Sequence, residues 1–251
     1  MLKRFVCAIQ FLTRFPTWPR FEISEKDYAR SMAFFPLVGL LIGLILAGTY
    51  LLFQQVLLPE VIAVLILLVE LGVSGALHLD GFMDTMDGLF CGRSREQRLE
   101  ILRDSRVGAH SVISVCMLFL LKWSLLLQLQ EGSAKEILWI LLVMPAVGRL
   151  NMVLAVYFFP YVRKQGLGKA FAGALKLFDV FFAIITTLLA VMLLLTGTGT
   201  ISLIVVVGLA MLAALAITRL LGGLTGDIYV WLNETSEVTW LLIFILLRLA
   251  F

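Results

Sequence analysis

The sequence predicts an all-α protein, a polytopic integral membrane bundle of about six or seven transmembrane helices with an N-terminal interfacial segment. Of its 251 residues, 61% are hydrophobic and only 15% are charged. Soluble domains are about 45–50% apolar and about 25% charged. Apolar stretches of membrane-spanning length recur along the chain, with no low-complexity tract between them. We therefore expect one membrane domain that covers residues 1–251.

The first twenty residues combine a basic start with a short apolar stretch, which Arg14 interrupts. No small-residue cleavage site follows, so a cleaved signal peptide is not expected. An amphipathic segment in the membrane interface fits this pattern better. The side chains expected to face lipid or protein are those of Phe5, Ile9, Phe11, Phe15 and Trp18.

Six apolar segments are long enough to cross a hydrocarbon core about 30 Å thick, which requires about 20 residues of helix. They are residues 33–57, 60–77, 112–130, 137–159, 178–197 and 201–221. A seventh segment, 238–251, is shorter, and its crossing is left open. Pro59 with Glu60, residues 131–136 and the GTGT stretch at 197–200 are the predicted turns between spans.

The basic residues predict the orientation of these spans. Segments 1–32, 78–111, 160–177 and 222–237 together contain 15 of the 20 Lys and Arg residues, and the opposite loops contain only Lys135. Basic loops stay in the cytoplasm, so this side, including the N-terminus, is predicted to be cytoplasmic. The fifteen are Lys3, Arg4, Arg14, Arg20, Lys26, Arg30, Arg93, Arg95, Arg98, Arg103, Arg106, Arg163, Lys164, Lys169 and Lys176.

Residues 77–90, LHLDGFMDTMDGLF, gather three aspartates at the end of the second predicted span. Asp80, Asp84 and Asp87 have the spacing i, i+4, i+7, which places three carboxylates on one face of a helix. Repulsion and desolvation make such a cluster costly near a membrane unless a cation compensates it. Oxygen ligands favour hard ions, so the motif predicts a site for Mg²⁺ or Mn²⁺. Gly81 and Gly88 leave room for a phosphate-bearing ligand.

Several further polar residues could complete such a site. His78 could be a metal ligand, a phosphate donor or an ordinary interfacial histidine. The arginines of residues 91–111 suit phosphate binding because guanidinium donates bidentate hydrogen bonds. Arg95 and Arg98 could equally belong to an exposed helix whose acidic and basic side chains pair with each other. Asp104 and Arg106, just before the third span, look more like site residues.

A second polar stretch, residues 221–238, is predicted to lie on the same cytoplasmic side. Asp227 and Glu234 are seven residues apart and so share a helix face, and Glu237 follows them. This group could complete a metal site or supply a general base. Arg149 falls inside a predicted span, where an unpaired charge is expensive, so a partner carboxylate or an anionic ligand is expected. Glu70 also lies inside a span, and a purely structural, hydrogen-bonded role explains it as well as a functional one.

The motifs HLDGFMDTMDG, RDSRVGAH, PAVGR, GLG and GGLTGD with NETSEV resemble the cobalamin synthase family in order and spacing. FLTRFP and FFPLVGLLIG, near the start of the chain, belong to the same resemblance, which covers nearly the whole sequence. The family usually has a small Gly-Ala pair after GGLTGD and two further residues. This chain has Val230 and Trp231 there, whose larger side chains would narrow the site.

The resemblance implies a multi-pass enzyme of the bacterial inner membrane with a cytoplasmic active site. Its substrates would be adenosylcobinamide-GDP and α-ribazole or α-ribazole 5′-phosphate, its products adenosylcobalamin or its phosphate and GMP, and its cofactor Mg²⁺. Phosphodiester exchange needs a cation on the pyrophosphate, donors for developing charge and a base. Under this interpretation Asp80, Asp84 and Asp87 hold the metal, with Asp104 or Asp227 contributing. Phosphate binding falls to His78, Arg103, Arg106 or Arg149, and catalytic work to Asp84, Asp227 or Glu234.

Two other functions are compatible with part of the pattern. A CDP-alcohol phosphotransferase of lipid synthesis also clusters aspartates beside glycines, but Cys91-Gly92 stands where its motif requires Ala-Arg. A cation transporter could use the acids as a transport site, although such sites usually lie near the bilayer midplane. Nothing in the sequence indicates a nucleic-acid partner. Small residues at Gly39, Gly43 and Ala47 permit close helix packing within the chain or in a homo-oligomer.

Overall fold

Helices form every regular element of the described chain, which comprises residues 1–16, 22, 24–92, 94–104, 106–163 and 166–250 of a computed structural model. Trp18, Arg20, Arg93 and Lys164 lie outside these residues. The helices are α1 Leu2–Leu12, α2 Glu25–Arg30, α3 Phe35–Phe53, α4 Pro59–Ser74, α5 Leu77–Phe90, α6 Arg95–Ile101, α7 Ala109–Leu129, α8 Ala134–Phe158, α9 Leu167–Phe171, α10 Leu177–Leu221 and α11 Gly226–Ala250; a 3₁₀ turn, Ser31–Phe34, joins α2 to α3.

Five helical stretches of the described residues are long and apolar enough to cross a membrane, and α4 with α5 makes a sixth if that bent pair is one span. The five are Glu25–Phe53, Ala109–Leu129, Ala134–Phe158, Leu177–Leu221 and Gly226–Ala250. The predicted all-α polytopic membrane bundle is therefore confirmed.

Helix α10 is broken at Thr196, whose φ of 54° and ψ of −144° are not helical. Near one end Asp179 pairs with Arg30 of α2, and at the other the carbonyl of Leu221 accepts a hydrogen bond from Arg95 of α6. Thr196 itself lies beside Ser133, just before α8. The two halves consequently run in opposite directions, as the separate spans 178–197 and 201–221 predicted. The reversal needs only Thr196, and residues 197–200, predicted as the turn, are already helical.

The second predicted span ends in a sharp bend. Gly75 and Ala76 both have left-handed backbone conformations, with φ of 69° and 59°. Glycine adopts this conformation readily, whereas alanine does so at a cost of about 1–2 kcal/mol. Helix α5 therefore leaves α4 at an angle of 96°. The bend carries the aspartate helix sideways, against α7 and α11.

The predicted division between a polar stretch, 222–237, and a separate short span, 238–251, is not seen. Residues Gly226–Ala250 form one helix, α11, of 25 residues. Its polar side chains Asn233, Glu234, Ser236 and Glu237 are buried in the bundle and bond to α5, α7 and α8. Because partners on other helices satisfy these groups, the helix continues where the sequence pattern suggested a loop.

Helices α3 and α8 approach each other at backbone distance. A Cβ added at Gly39 would lie 2.6 Å from Cα of Ala146, and one added at Gly43 would overlap the carbonyl oxygen of Leu142. The predicted small-residue face is thus used within the chain. Helix α1 also packs on this core, since Phe11 stacks on Phe35 with a centroid distance of 5.7 Å.

Candidate active site

A cavity of about 180 Å³ lies where α5, α8, α9 and α11 meet α1 and α3. Two carboxylates, Asp80 and Asp227, and three glycines, Gly81, Gly168 and Gly226, contribute to its lining. The remaining lining side chains are apolar or aromatic: Phe11, Met32, Phe35, Leu77, Met152, Phe171, Tyr229 and Val230. The cavity therefore joins one acidic edge to largely apolar walls.

The predicted face of aspartates exists, because residues 77–90 form one continuous helix. Asp80 is exposed, while Asp84 and Asp87 are half-buried. Asp84 is the centre of the negative charge, since Asp227, Asp80 and Asp87 all act on it electrostatically. The charge of Arg163 acts on Asp84 in the opposite sense. Asp84 is thus close enough to Asp227 of α11 to be affected by its charge, as a cation site shared by the two helices would require.

Asp87 has a structural task in addition to its predicted metal role. Its carboxylate oxygens accept hydrogen bonds from the backbone N–H groups of Gly108, at 2.8 Å, and Ser111, at 3.0 Å. These groups belong to the start of α7, where unpaired N–H groups favour an anionic partner. Asp87 therefore caps α7 from a different helix. Its role as a metal ligand stays a prediction.

Asp227 is held by a basic residue that the sequence analysis used only for orientation. A guanidinium nitrogen of Arg163 lies 2.7 Å from a carboxylate oxygen of Asp227. Arg163 also donates to the carbonyl of Leu102 at 2.6 Å. Its loop is fixed to the start of α11, because Val162 N–H donates to the Leu224 carbonyl at 2.9 Å. The position of Arg163, just after Pro160 at the end of a span, was the available sequence signal.

The predicted pair Asp104 and Arg106 is satisfied locally. Their charged atoms lie 2.6 Å apart, and the Arg106 side chain is 89% exposed. The hydrogen bonds from Arg106 hold the pKa of Asp104 below its usual value. Arg103 is exposed as well, and its charge acts on Tyr161. The metal role of Asp104 and the phosphate roles of Arg103 and Arg106 stay predictions.

Arg95 and Arg98 contact the ends of neighbouring helices. Arg95 donates to the carbonyl of Leu221 at 2.7 Å, and Arg98 donates to those of Gly88, at 3.2 Å, and Leu89. These carbonyls belong to the last turns of α10 and α5, where a cation is favourable. The two arginines therefore attach α6 to the ends of the site helices.

A network of buried charges lies deeper in the bundle. The ammonium of Lys122 lies 2.8 Å from a carboxylate oxygen of Glu70 and 2.7 Å from one of Glu237. Arg149 pairs with the other oxygen of Glu237. The expectation of a partner carboxylate for Arg149 is thus confirmed, while its role in phosphate binding stays a prediction. Lys122 is the partner that the sequence analysis missed; a lysine inside an apolar span was the signal.

His78 and Glu234 belong to this network and do not line the cavity. Nδ1 of His78 lies 3.4 Å from a carboxylate oxygen of Glu234, and Asn233 donates to the same oxygen at 3.1 Å. His78 and Glu234 are both buried. Glu234 shares a helix face with Asp227, as predicted, but seven residues place it about 10 Å further along the axis. Its role as a general base stays a prediction.

Val230 narrows the cavity, as expected from its size. It lines the wall beside Gly81, where an added Cβ would overlap a Val230 methyl group. The indole N–H of Trp231 lies 3.2 Å from the sulfur of Met86.

Within the described part of the chain, no three His, Cys, Asp or Glu side chains converge closely enough to enclose a metal ion. This does not conflict with magnesium, which keeps several waters and usually binds through one or two carboxylates and substrate phosphates. Asp80 and Asp84 are oxygen donors of this kind, and Asp227 is electrostatically coupled to Asp84. The donor set therefore fits a magnesium ion shared with a phosphate ligand.

Known proteins with similar sequences share almost the full length of the chain. The chain is 36% identical over 258 residues to the adenosylcobinamide-GDP ribazoletransferase of Desulfitobacterium hafniense, with 96% of each chain covered. It is 38% identical over 250 residues to the protein of that name from Desulforamulus reducens, covering 96% of this chain and 94% of the relative. No solved structure matches. Residues 4–245 match the family described as cobalamin-5-phosphate synthase, and the chain therefore belongs to this family.

Proposed function

We propose that the chain is an adenosylcobinamide-GDP ribazoletransferase, which joins adenosylcobinamide-GDP to α-ribazole and releases GMP. The observation that carries this proposal is the edge of the cavity, which Asp80 and Asp227 both line and where Asp227 contacts the guanidinium of Arg163. A pyrophosphate needs both features, cation-binding carboxylates and a donor for phosphate oxygens. The relatives with this name match the chain from end to end.

The reaction is a phosphodiester exchange. A ribose hydroxyl of the acceptor attacks the phosphorus on the cobinamide side, the P–O bond to the GMP phosphate breaks, and GMP leaves with the bonding electrons. The hydroxyl proton must pass to a base. Asp227 is better placed for this than Glu234, because Asp227 lines the cavity.

Arg163 and Asp227 neutralise each other in the free protein. A bound pyrophosphate would compete for the Arg163 guanidinium, since phosphate is a strong bidentate acceptor. The Asp227 carboxylate would then be released to accept the proton. Substrate binding would in this way prepare the base.

We further propose that Asp80 and Asp84 hold Mg²⁺, which would neutralise charge on the pyrophosphate and on departing GMP. Asp87 would support these two residues by fixing α5 to α7. The acceptor could be α-ribazole or its 5′-phosphate. The site would face the cytoplasm at the bacterial inner membrane, which the distribution of basic residues among the loops supports.

The direct test uses membranes that contain the protein, supplied with adenosylcobinamide-GDP, α-ribazole and Mg²⁺. The expected products are a complete corrinoid and an equimolar amount of GMP, both formed about 100-fold more slowly when the membranes carry Asp84→Asn. Asp27→Asn is the matched control, because Asp27 of α2 pairs with Arg4 of α1 and is not among the residues that line the cavity. No product from correctly folded wild-type protein would overturn the proposal.

The two alternative functions receive less support. The family match and the full-length relatives favour the transferase over a CDP-alcohol phosphotransferase. A transporter would also need no phosphate-binding arginine, whereas Arg163 lies directly against the acidic edge. Metal uptake without turnover would favour the transporter.

A further inference from the structure

The cavity beside Asp80 and Asp227 is too small for most of the proposed substrates. Its volume is about 180 Å³, whereas pockets for drug-sized ligands measure about 300–1,000 Å³. A corrin macrocycle or a complete guanosine diphosphate group cannot enter it. The space suits one fused ring system.

The walls of the cavity are rigid and aromatic. Phe35 and Phe171 are buried, and their ring centroids lie 6.1 Å apart. Phe11 stacks on Phe35 and meets the edge of Phe171 at 5.2 Å. Such surfaces bind flat aromatic ligands through stacking and edge contacts.

One polar group of the wall lacks a partner. Tyr229 lines the cavity and is only 3% exposed. Its hydroxyl is buried and makes no hydrogen bond within the described residues. Buried hydroxyl groups nearly always have a partner, because leaving one unpaired is costly. The unpaired hydroxyl therefore suggests a ligand with an atom that can form a hydrogen bond to it.

We infer that this cavity binds the base of the acceptor nucleoside, an apolar, fused aromatic heterocycle with one free ring nitrogen. The inference rests on the proposed function. In α-ribazole one imidazole nitrogen of the benzimidazole carries the ribose, and the other keeps a free lone pair. Tyr229 donates its hydroxyl hydrogen to that nitrogen, while the aromatic walls enclose the rest of the base.

Guanine, the other base of the reaction, fits this cavity poorly. Its acceptors O6 and N7 would compete for the hydroxyl of Tyr229, the one side-chain donor among the described residues that line the cavity, and at least one of them would be left without a partner. A dimethylbenzimidazole has a single polar atom to satisfy. The cavity therefore selects the acceptor base over the base of the leaving nucleotide.

The arrangement also directs the chemistry. Asp227 precedes Tyr229 by two residues in the first turn of α11, and both line the same cavity. A base bound against Tyr229 leaves its ribose at the acidic edge. The attacking hydroxyl then lies beside Asp227 and faces the pyrophosphate held by Arg163.

Binding of free 5,6-dimethylbenzimidazole to the purified full-length protein in detergent tests this inference without turnover. Equilibrium dialysis should show binding that Tyr229→Phe weakens by about 3- to 10-fold, the range for one lost hydrogen bond. Leu77→Trp places a much larger side chain in the cavity wall and should abolish binding. Tyr157→Phe in α8, outside the cavity, should leave it unchanged. Thermal unfolding of each variant verifies the fold.

Kinetics provides a second readout. Tyr229→Phe should raise KM for α-ribazole by a similar factor and leave KM for adenosylcobinamide-GDP unchanged. Displacement of bound base by GMP, or equal base binding by wild type, Tyr229→Phe and Leu77→Trp, would overturn the inference. A wrong proposed function would give a different result. Base binding would still depend on Tyr229, but wild-type membranes would make no corrinoid product.

Discussion

The ammonium of Lys122 lies 2.7 Å from a carboxylate oxygen of Glu237, in the interior of a bundle that spans the membrane. Lys122 is 2% exposed and Glu237 is fully buried. Glu70 adds a second carboxylate to Lys122, and Arg149 adds a second cation to Glu237. Four helices, α4, α7, α8 and α11, are thus joined by charges that lipid could not accommodate singly.

Replacement of Lys122 by methionine should destabilise the protein severely. Among the described residues, the substitution leaves Glu70 without an ion-pair partner and Glu237 with Arg149 as its one cation. Breaking a buried pair by removing one partner costs about 3–5 kcal/mol. Unfolding in detergent, followed by circular dichroism, measures the loss. Lys135→Met, in an exposed turn of α8, is the matched control and should be neutral.

A second substitution distinguishes charge from packing. If the cost arises from unpaired carboxylates, Lys122→Met combined with Glu70→Gln should recover part of the lost stability. If Lys122→Met alone costs less than about 1 kcal/mol, the network is not a significant source of stability.

The sequence predicted the helices better than it predicted their polar contacts. The spacing of Asp80, Asp84 and Asp87 placed them correctly on one helix face, because helical periodicity is a local property. Lys122 and Glu237 are 115 residues apart, and nothing local indicates that they meet. Without that partner, Glu237 was grouped with a polar stretch on the cytoplasmic side, and so the first half of α11 was predicted outside the spans.

Arg163 shows the same limit at the site. Its charge helped to predict the orientation of the spans, but its contact with Asp227 depends on the pairing of the 160–163 loop with Leu224. Conversely, Asp104 and Arg106 looked like site residues because they directly precede the third predicted span. They are only two residues apart in sequence, and this closeness lets them satisfy each other.

Replacement by alanine should have opposite effects at two glycines of α3. At Gly43 an added Cβ would overlap the backbone of Leu142 in α8, while at Gly48 no atom lies within 4 Å. Gly43→Ala should therefore separate α3 from α8 at a cost of about 1–3 kcal/mol. Gly48→Ala should be neutral or stabilise by up to about 1 kcal/mol, because alanine favours helix. Thermal unfolding of the pair measures the difference, and equal effects would contradict the close approach of α3 and α8.

The aspartates of α5 should separate into two roles when each is replaced by asparagine. Asp84→Asn removes the carboxylate at the centre of the acidic cluster and should lower turnover by about 100-fold, as loss of comparable electrostatic groups does. Asp87→Asn keeps an oxygen that can accept a hydrogen bond from the start of α7, so most activity should remain. Asp87→Ala should instead cost about 1 kcal/mol of stability, as loss of a helix cap does.

Turnover measured against Mg²⁺ concentration, with unfolding of the same samples, tests both assignments. A shift to higher Mg²⁺ requirement in Asp87→Asn at unchanged stability would show that Asp87 is a metal ligand as well.

Substitution of Arg163 should weaken binding of adenosylcobinamide-GDP, which carries the pyrophosphate, and leave binding of α-ribazole unchanged. One terminal guanidinium nitrogen, Nη2, lies 2.7 Å from Asp227 and 2.6 Å from the Leu102 carbonyl, while the buried Nε has no partner among the described residues. Lysine keeps the charge but cannot donate to a phosphate in a bidentate manner. Arg163→Lys should therefore raise KM for adenosylcobinamide-GDP by about tenfold, equivalent to about 1.4 kcal/mol, with little change in KM for α-ribazole. Arg103→Lys, which alters an exposed arginine nearby, is the comparison. Equal effects on both substrates would indicate that Arg163 only fixes its loop, and the phosphate role would then pass to Arg103.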